Sequence, residues 1–203
     1  MIRSAAVFVV LAALSLAACE PPAGGTDAGQ GAEAIAPETP AATVDALTAE
    51  GWGPLRIGMT LDEVTAAAGP DSDLEAIGGP EPESCDQFRP AEAPEGLLVM
   101  MEQGVLTSIS LMEPSTLRTD RGFGVGSTAA EIKAAYGDAA RSEPHHYLGL
   151  PAEYITVWNG GVPAEPYVED PQARGISYET DADGIVTVVH AGGPSIQYVE
   201  GCA

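Results

Sequence analysis

The chain has 203 residues, 45% of them hydrophobic, with 30 acidic side chains against 8 basic ones and a formal charge of −22. A nucleic-acid partner is excluded on charge, because a surface of this sign repels phosphate. Solubility or adaptation to salt accounts for such a surface, and the sharper alternative is a face that meets a basic protein or divalent cations.

The N-terminus opens with Met1-Ile2-Arg3, continues as an apolar run over residues 5–16, and reaches Leu16-Ala17-Ala18-Cys19. That order of basic start, short apolar core and small residues before a cysteine predicts a secretory leader over residues 1–18. Cutting would leave Cys19 as the lipidated first residue of a lipoprotein. The run is too short for a comfortable membrane span. Several acyl chains on one cysteine give stable anchoring where a single chain is marginal. Glu20 follows the cysteine instead of the aspartate that marks inner-membrane retention, which points to the outer membrane, facing the periplasm. Residues 19–50 read as a lipidated cysteine and an acidic tether. Pro21, Pro22, Gly24, Gly25, Pro37 and Pro40 are spread among alanines and acids, without lysine or arginine. Such a segment buries too little apolar surface to fold. Its reach is on the order of 30 Å. Residues 42–49 could add a turn of helix or a first strand.

Beyond the tether a pattern occurs twice. Gly58, Thr60, Glu63, Val64, Ala67 and Gly69 recur as Gly126, Thr128, Glu131, Ile132, Ala135 and Gly137. Each copy predicts a short helix with both ends specified: a threonine N-cap with glutamate three residues on as a capping box, and a glycine at the C-terminal end. Leu61, Val64 and Ala68, then Ala129, Ile132 and Tyr136, place an apolar stripe on each helix. Two β-prone runs follow each helix, 96–101 with 104–109 and 175–180 with 184–189, with Gly104 and Gly184 in the turns. The expectation is an α+β protein of two tandem units, residues 51–114 and 115–203, each a short helix followed by antiparallel strands and packed helix on sheet.

The stretch Ile57-Gly58-Met59-Thr60 with Glu63 and Val64, behind a lipobox, resembles the small outer-membrane lipoproteins (SmpA/OmlA-like) that include the accessory lipoprotein of the β-barrel assembly machine. Two such units in tandem are similar in architecture to the β-lactamase inhibitory proteins. The resemblance covers about 20 residues per unit and implies helices packed on antiparallel strands, with a concave sheet surface for protein contacts. No binding residue carries across, because only fold-forming positions match. Pro70, Gly78, Gly79, Pro80 and Pro82 interrupt the longer helical portion that the resemblance implies after the first helix.

With Cys19 acylated, Cys85 and Cys202 remain, and in an exported protein one remaining pair most simply forms one disulfide. The closed loop of about 117 residues stabilises by roughly 4–5 kcal/mol in the chain-entropy account. Metal binding or redox work is the alternative for this pair.

Catalytic signatures are absent from the sequence: no Gly-x-Ser-x-Gly, no His-Glu-x-x-His and no phosphate-cradling glycine loop. No metal, cofactor or catalytic residue is expected. On a strand, the adjacent His145 and His146 would face opposite ways, and His190 falls on the last predicted hairpin, where the corresponding residue of the first unit is Ser110. Tyr154, Trp158 and Tyr167 are the candidate protein contacts; they lie in or beside the segment 159–172, part of the stretch that makes the second copy longer. Core packing is the plainer account of them. The function expected is that of a non-catalytic cell-envelope lipoprotein, a protein-binding or scaffold module, with inhibition of an envelope or secreted enzyme as the alternative and a hydrolase with an unrecognised site as a third reading. Its partners would be the membrane, through lipid, and an unidentified envelope protein.

Overall fold

The computed structural model describes residues 45–74 and 78–202. The leader, Cys19 and the tether up to residue 44 lie outside the described residues. Both repeated motifs form the capped helices their pattern predicts. Helix α1 is Leu61–Ala68 and α2 is Ala129–Tyr136. In α1 the Thr60 hydroxyl accepts the Glu63 N–H at 3.4 Å while the Glu63 carboxylate accepts the Thr60 N–H at 2.8 Å. In α2 the same reciprocal bonds join Thr128 and Glu131 at 3.2 and 3.0 Å. Val64, Ala68 and Ile132 are buried beneath them, but Leu61 is 48% exposed and lies off the stripe.

The strands overturn the two-unit expectation. In chain order they are β1 Gly51–Trp52, β2 Leu55–Arg56, β3 Cys85–Phe88, β4 Leu97–Glu102, β5 Val105–Met112, β6 Arg141–Pro144, β7 Glu153–Trp158, β8 Gly175–Thr180 and β9 Val186–Gly192. β1 and β2 form a two-stranded ribbon, and the other seven form one continuous antiparallel sheet in the order β3-β4-β5-β9-β8-β7-β6. The described residues are mostly β, with two eight-residue α-helices among them, and are not a pair of helix-on-sheet units. The physical reason is the strand edge. The outer strand of each hairpin carries a row of unpaired backbone groups. β5 and β9 satisfy one another by pairing, so the halves share one sheet. Their register sets Ser110 opposite His190. These are the positions that the hairpin repeat makes equivalent, so a local two-fold passes through that pair.

The turn between β4 and β5 is Gln103-Gly104, with both residues at positive φ (50° and 78°). That is the backbone of a tight hairpin turn, and it explains the glycine. The repeat also places each helix on its hairpin in the same way. Gly58 N–H bonds the Leu106 carbonyl at 2.7 Å, and Gly126 N–H bonds that of Val186 at 2.9 Å. Residues 45–50 are part of the fold: Leu47 is fully buried and exchanges backbone hydrogen bonds with Arg118 and Asp120.

One face of the sheet carries the core. Leu97, Val99, Leu106, Ile109, Leu111, Ile155, Tyr178 and Val189 alternate inward along their strands and pack with Leu47, Leu55, Val64 and Ile132. The other face is crossed by the C-terminal segment. A 3-10 turn, Pro194–Gln197, lies against β5, β8 and β9, with Ser195 and Ile196 buried. The Cys85–Cys202 disulfide then ties the end of this strap to β3, with 5.4 Å between the Cα atoms.

Candidate binding cavity on the strapped sheet face

Two adjacent rows of side chains run across the strapped face. The register aligns Ser110, His190, Ser177, Thr156 and Arg141 in one row, and Val188, Glu179, Tyr154 and Glu143 in the next. Over β6 to β9 these rows floor a cavity of about 180 Å³. Its far side is the strap, with Ile196, Gln197, Tyr198 and Val199, together with Pro166 and Tyr167. Gln197 holds the two parts of that roof together. Its side chain accepts from Val168 N–H and donates to the Val168 carbonyl, both at 2.9 Å, and donates also to the Pro194 carbonyl at 2.9 Å.

A series of polar side chains runs behind the floor. The Ser110 hydroxyl is 2.8 Å from His190 Nδ1, and His190 Nε2 is 3.8 Å from Glu179 Oε2. Glu179 Oε1 is 3.0 Å from His145 Nε2. Nδ1 of His145 faces the backbone N–H groups of Tyr147 and Leu148 at 3.2 and 3.3 Å, so it is the acceptor nitrogen and Nε2 carries the proton donated to Glu179. His190 and His145 together hold the Glu179 carboxyl below the usual range, against the opposing effect of burial. At 3.8 Å the His190 contact is too long for a formed hydrogen bond, and the His145 bond at 3.0 Å is the formed one. Ser110 is buried and does not line the cavity. Its hydroxyl positions His190 and is not offered to a ligand.

Three tyrosines meet at the cavity. The Tyr154 ring stacks on His145 with 4.8 Å between centroids. Burial, and then Glu179, raises its hydroxyl pKa. Tyr167 is raised by burial and by Glu102 and Glu169. Tyr198 donates to Glu102 at 3.0 Å and is pushed up to about 12, by burial first and then by that carboxylate. The three hydroxyls therefore stay neutral in a field of carboxylates.

No protein-family model, curated protein or solved structure matches this chain. The chemistry of the cavity rests on its geometry alone. Of the three aromatic residues singled out in the sequence, Tyr154 and Tyr167 meet here. Trp158 does not: it is 8% exposed at the end of β7, its ring seated over Gly175, where a Cβ would come within 2.8 Å. His145 and His146 follow β6 instead of lying within a strand; His145 turns inward and His146 reaches the cavity wall. Cys85 and Cys202 are joined, and Cys19 lies outside the described residues.

Sequence reasoning missed Glu179, Ser177, Gln197 and Tyr198. A disulfide from Cys202 back to Cys85 required the C-terminal segment to cross the sheet, and that signal could have found Tyr198. Glu179 and Ser177 give no local signal, because their role depends on which strand lies beside β8. Among the described residues no group of three or more His, Cys, Asp or Glu is arranged to hold a metal.

Proposed function

We propose that the protein is a lipid-anchored lipoprotein of the cell envelope that binds another protein through the strapped face of its sheet. One observation carries the binding half of this reading. Tyr167, Tyr198 and Val199, three large apolar side chains left partly exposed on an acidic molecule, line the strap side of the cavity. Exposed Tyr147 is bonded to Glu200 on the same strap. Aromatic residues around a depression, with polar groups beyond, are the composition of a recognition surface. The anchoring half rests on the lipobox ending at Cys19, and the outer-membrane assignment on Glu20 and on the resemblance to small outer-membrane lipoproteins.

A photo-crosslinking residue placed at Val199 in intact cells tests the binding reading, with Leu61 on α1 as the control position. Val199 is expected to capture a specific protein that Leu61 does not. Recovery of a membrane assembly complex supports a scaffold role, and recovery of a lone hydrolase whose activity falls on binding supports inhibition. Equal capture at both positions, or none, overturns the reading. In the same cells Cys19→Ala should move the protein from the membrane fraction to the soluble one, and continued membrane association would refute the lipid anchor.

A further inference from the structure

We infer that the cavity receives one basic side chain, lysine or arginine, from the partner protein, gripped between tyrosine faces over a carboxylate-backed floor. This rests on the protein-binding reading above and adds the chemistry of what enters. Size sets the first limit. A volume of about 180 Å³ is well below the roughly 300–1,000 Å³ of ordinary small-molecule pockets, and suits one long side chain.

The walls set the second limit. Tyr154, Tyr167 and Tyr198 line the cavity, and the negative quadrupole of an aromatic ring attracts an ammonium or guanidinium group. Thr156 and Ser177 on the floor are bonded to each other at 3.0 Å and keep acceptor lone pairs in reserve.

Charge sets the third. Glu143 lines the mouth, Glu179 stands behind His190 and Tyr154, and Glu102 stands behind Tyr198. Arg141 offsets Glu143 at 2.9 Å. Among the described residues, Glu102, Glu169 and Glu179 have no lysine or arginine within ion-pair distance. An anionic group would enter against that field and against the −22 charge of the whole chain. A basic side chain threads an apolar stem past the exposed rim and sets its charge at the tyrosines, with polar and apolar parts both accommodated.

The test uses the full-length protein in detergent and four amidated peptides: tetralysine, tetra-arginine, fully acetylated tetralysine and tetraglutamate. Tetralysine or tetra-arginine should bind saturably by calorimetry, and the stronger of the two identifies the residue. Acetylation should weaken binding at least about tenfold, as should Tyr167→Leu and Tyr198→Leu, while Leu61→Ala should leave it within about twofold. Tyr167 is half exposed, so its variant is expected to fold, and circular dichroism checks this. Acetylated tetralysine binding as well as tetralysine would overturn the proposal. So would tyrosine variants that bind like the wild type, since the attraction would then be diffuse surface charge. The crosslink from Val199 separates the two readings. A captured partner with no basic-peptide binding overturns the basic occupant and leaves protein binding standing. Peptide binding without a captured partner overturns the assignment to a partner protein and points to a free amine.

Discussion

Thr128 and Glu131 show how much of this molecule is decided by bonds three residues long. The threonine hydroxyl satisfies one of the free N–H groups at the start of α2, and the glutamate returns the bond to the threonine N–H. Thr128→Ala should cost about 1 kcal/mol in denaturant unfolding, and Thr60→Ala a similar amount, because each leaves one helix start uncapped. Glu179 belongs to the same scale but acts through pH. Its folded pKa is held low by His190 and His145, so it contributes stability that is complete above the unfolded glutamate value of about 4.3 and is lost as pH falls through the lower folded value. Glu179→Gln keeps an oxygen to accept from His145 but removes the titration. Its unfolding free energy should therefore fall less steeply below about pH 4.3 than that of the wild type. Parallel curves for the two proteins would show that the carboxylate is not held by the histidines.

The strap of residues 194–202 is the element on which the cavity depends. It contributes the roof residues Gln197, Tyr198 and Val199 and is held at one end by the Gly193 N–H bond to Thr107, 2.9 Å, and at the other by Cys202. Mass analysis without reductant should find the peptides of Cys85 and Cys202 linked, and two free thiols would refute the pairing. Cys202→Ser should cost roughly 4–5 kcal/mol by the chain-entropy account, since the loop it closes spans 117 residues. The same variant should speed amide exchange over residues 196–200 more than over β4 and β5, because the strap lacks strand partners of its own and would open first.

At the scale of the whole molecule, the consequence of the β5 to β9 junction is cooperativity. All described residues belong to one compact unit, and the core continues from Leu97 and Val99 through Ile109 to Val189 and Ile155. Ile109 is fully buried on the junction strand, so Ile109→Ala should cost about 2–5 kcal/mol. Trp52 lies in the first half and Trp158 in the second, and their fluorescence should report one shared midpoint, shifted together in the variant. Two separate midpoints would mean that the halves unfold independently, as two tandem units would have done.

The chain sequence by itself determined what local bonds decide. Both capped helices, the glycine turns of both hairpins and the pairing of Cys85 with Cys202 were legible in the sequence. The α+β expectation failed because period-two patterning says that a strand exists and which of its faces is apolar, but not what lies along its edge. Pairing Ser110 with His190 joins residues 80 apart, and no capping or turn signal spans that distance. The cavity is a still longer-range product. Glu143, Tyr154, Tyr167, Ser177, His190 and Tyr198 come from six separate segments, and only the antiparallel register and the disulfide-tied strap bring them together. Tertiary structure therefore decided both the single sheet and the site, because both are made by contacts between residues that the sequence keeps far apart.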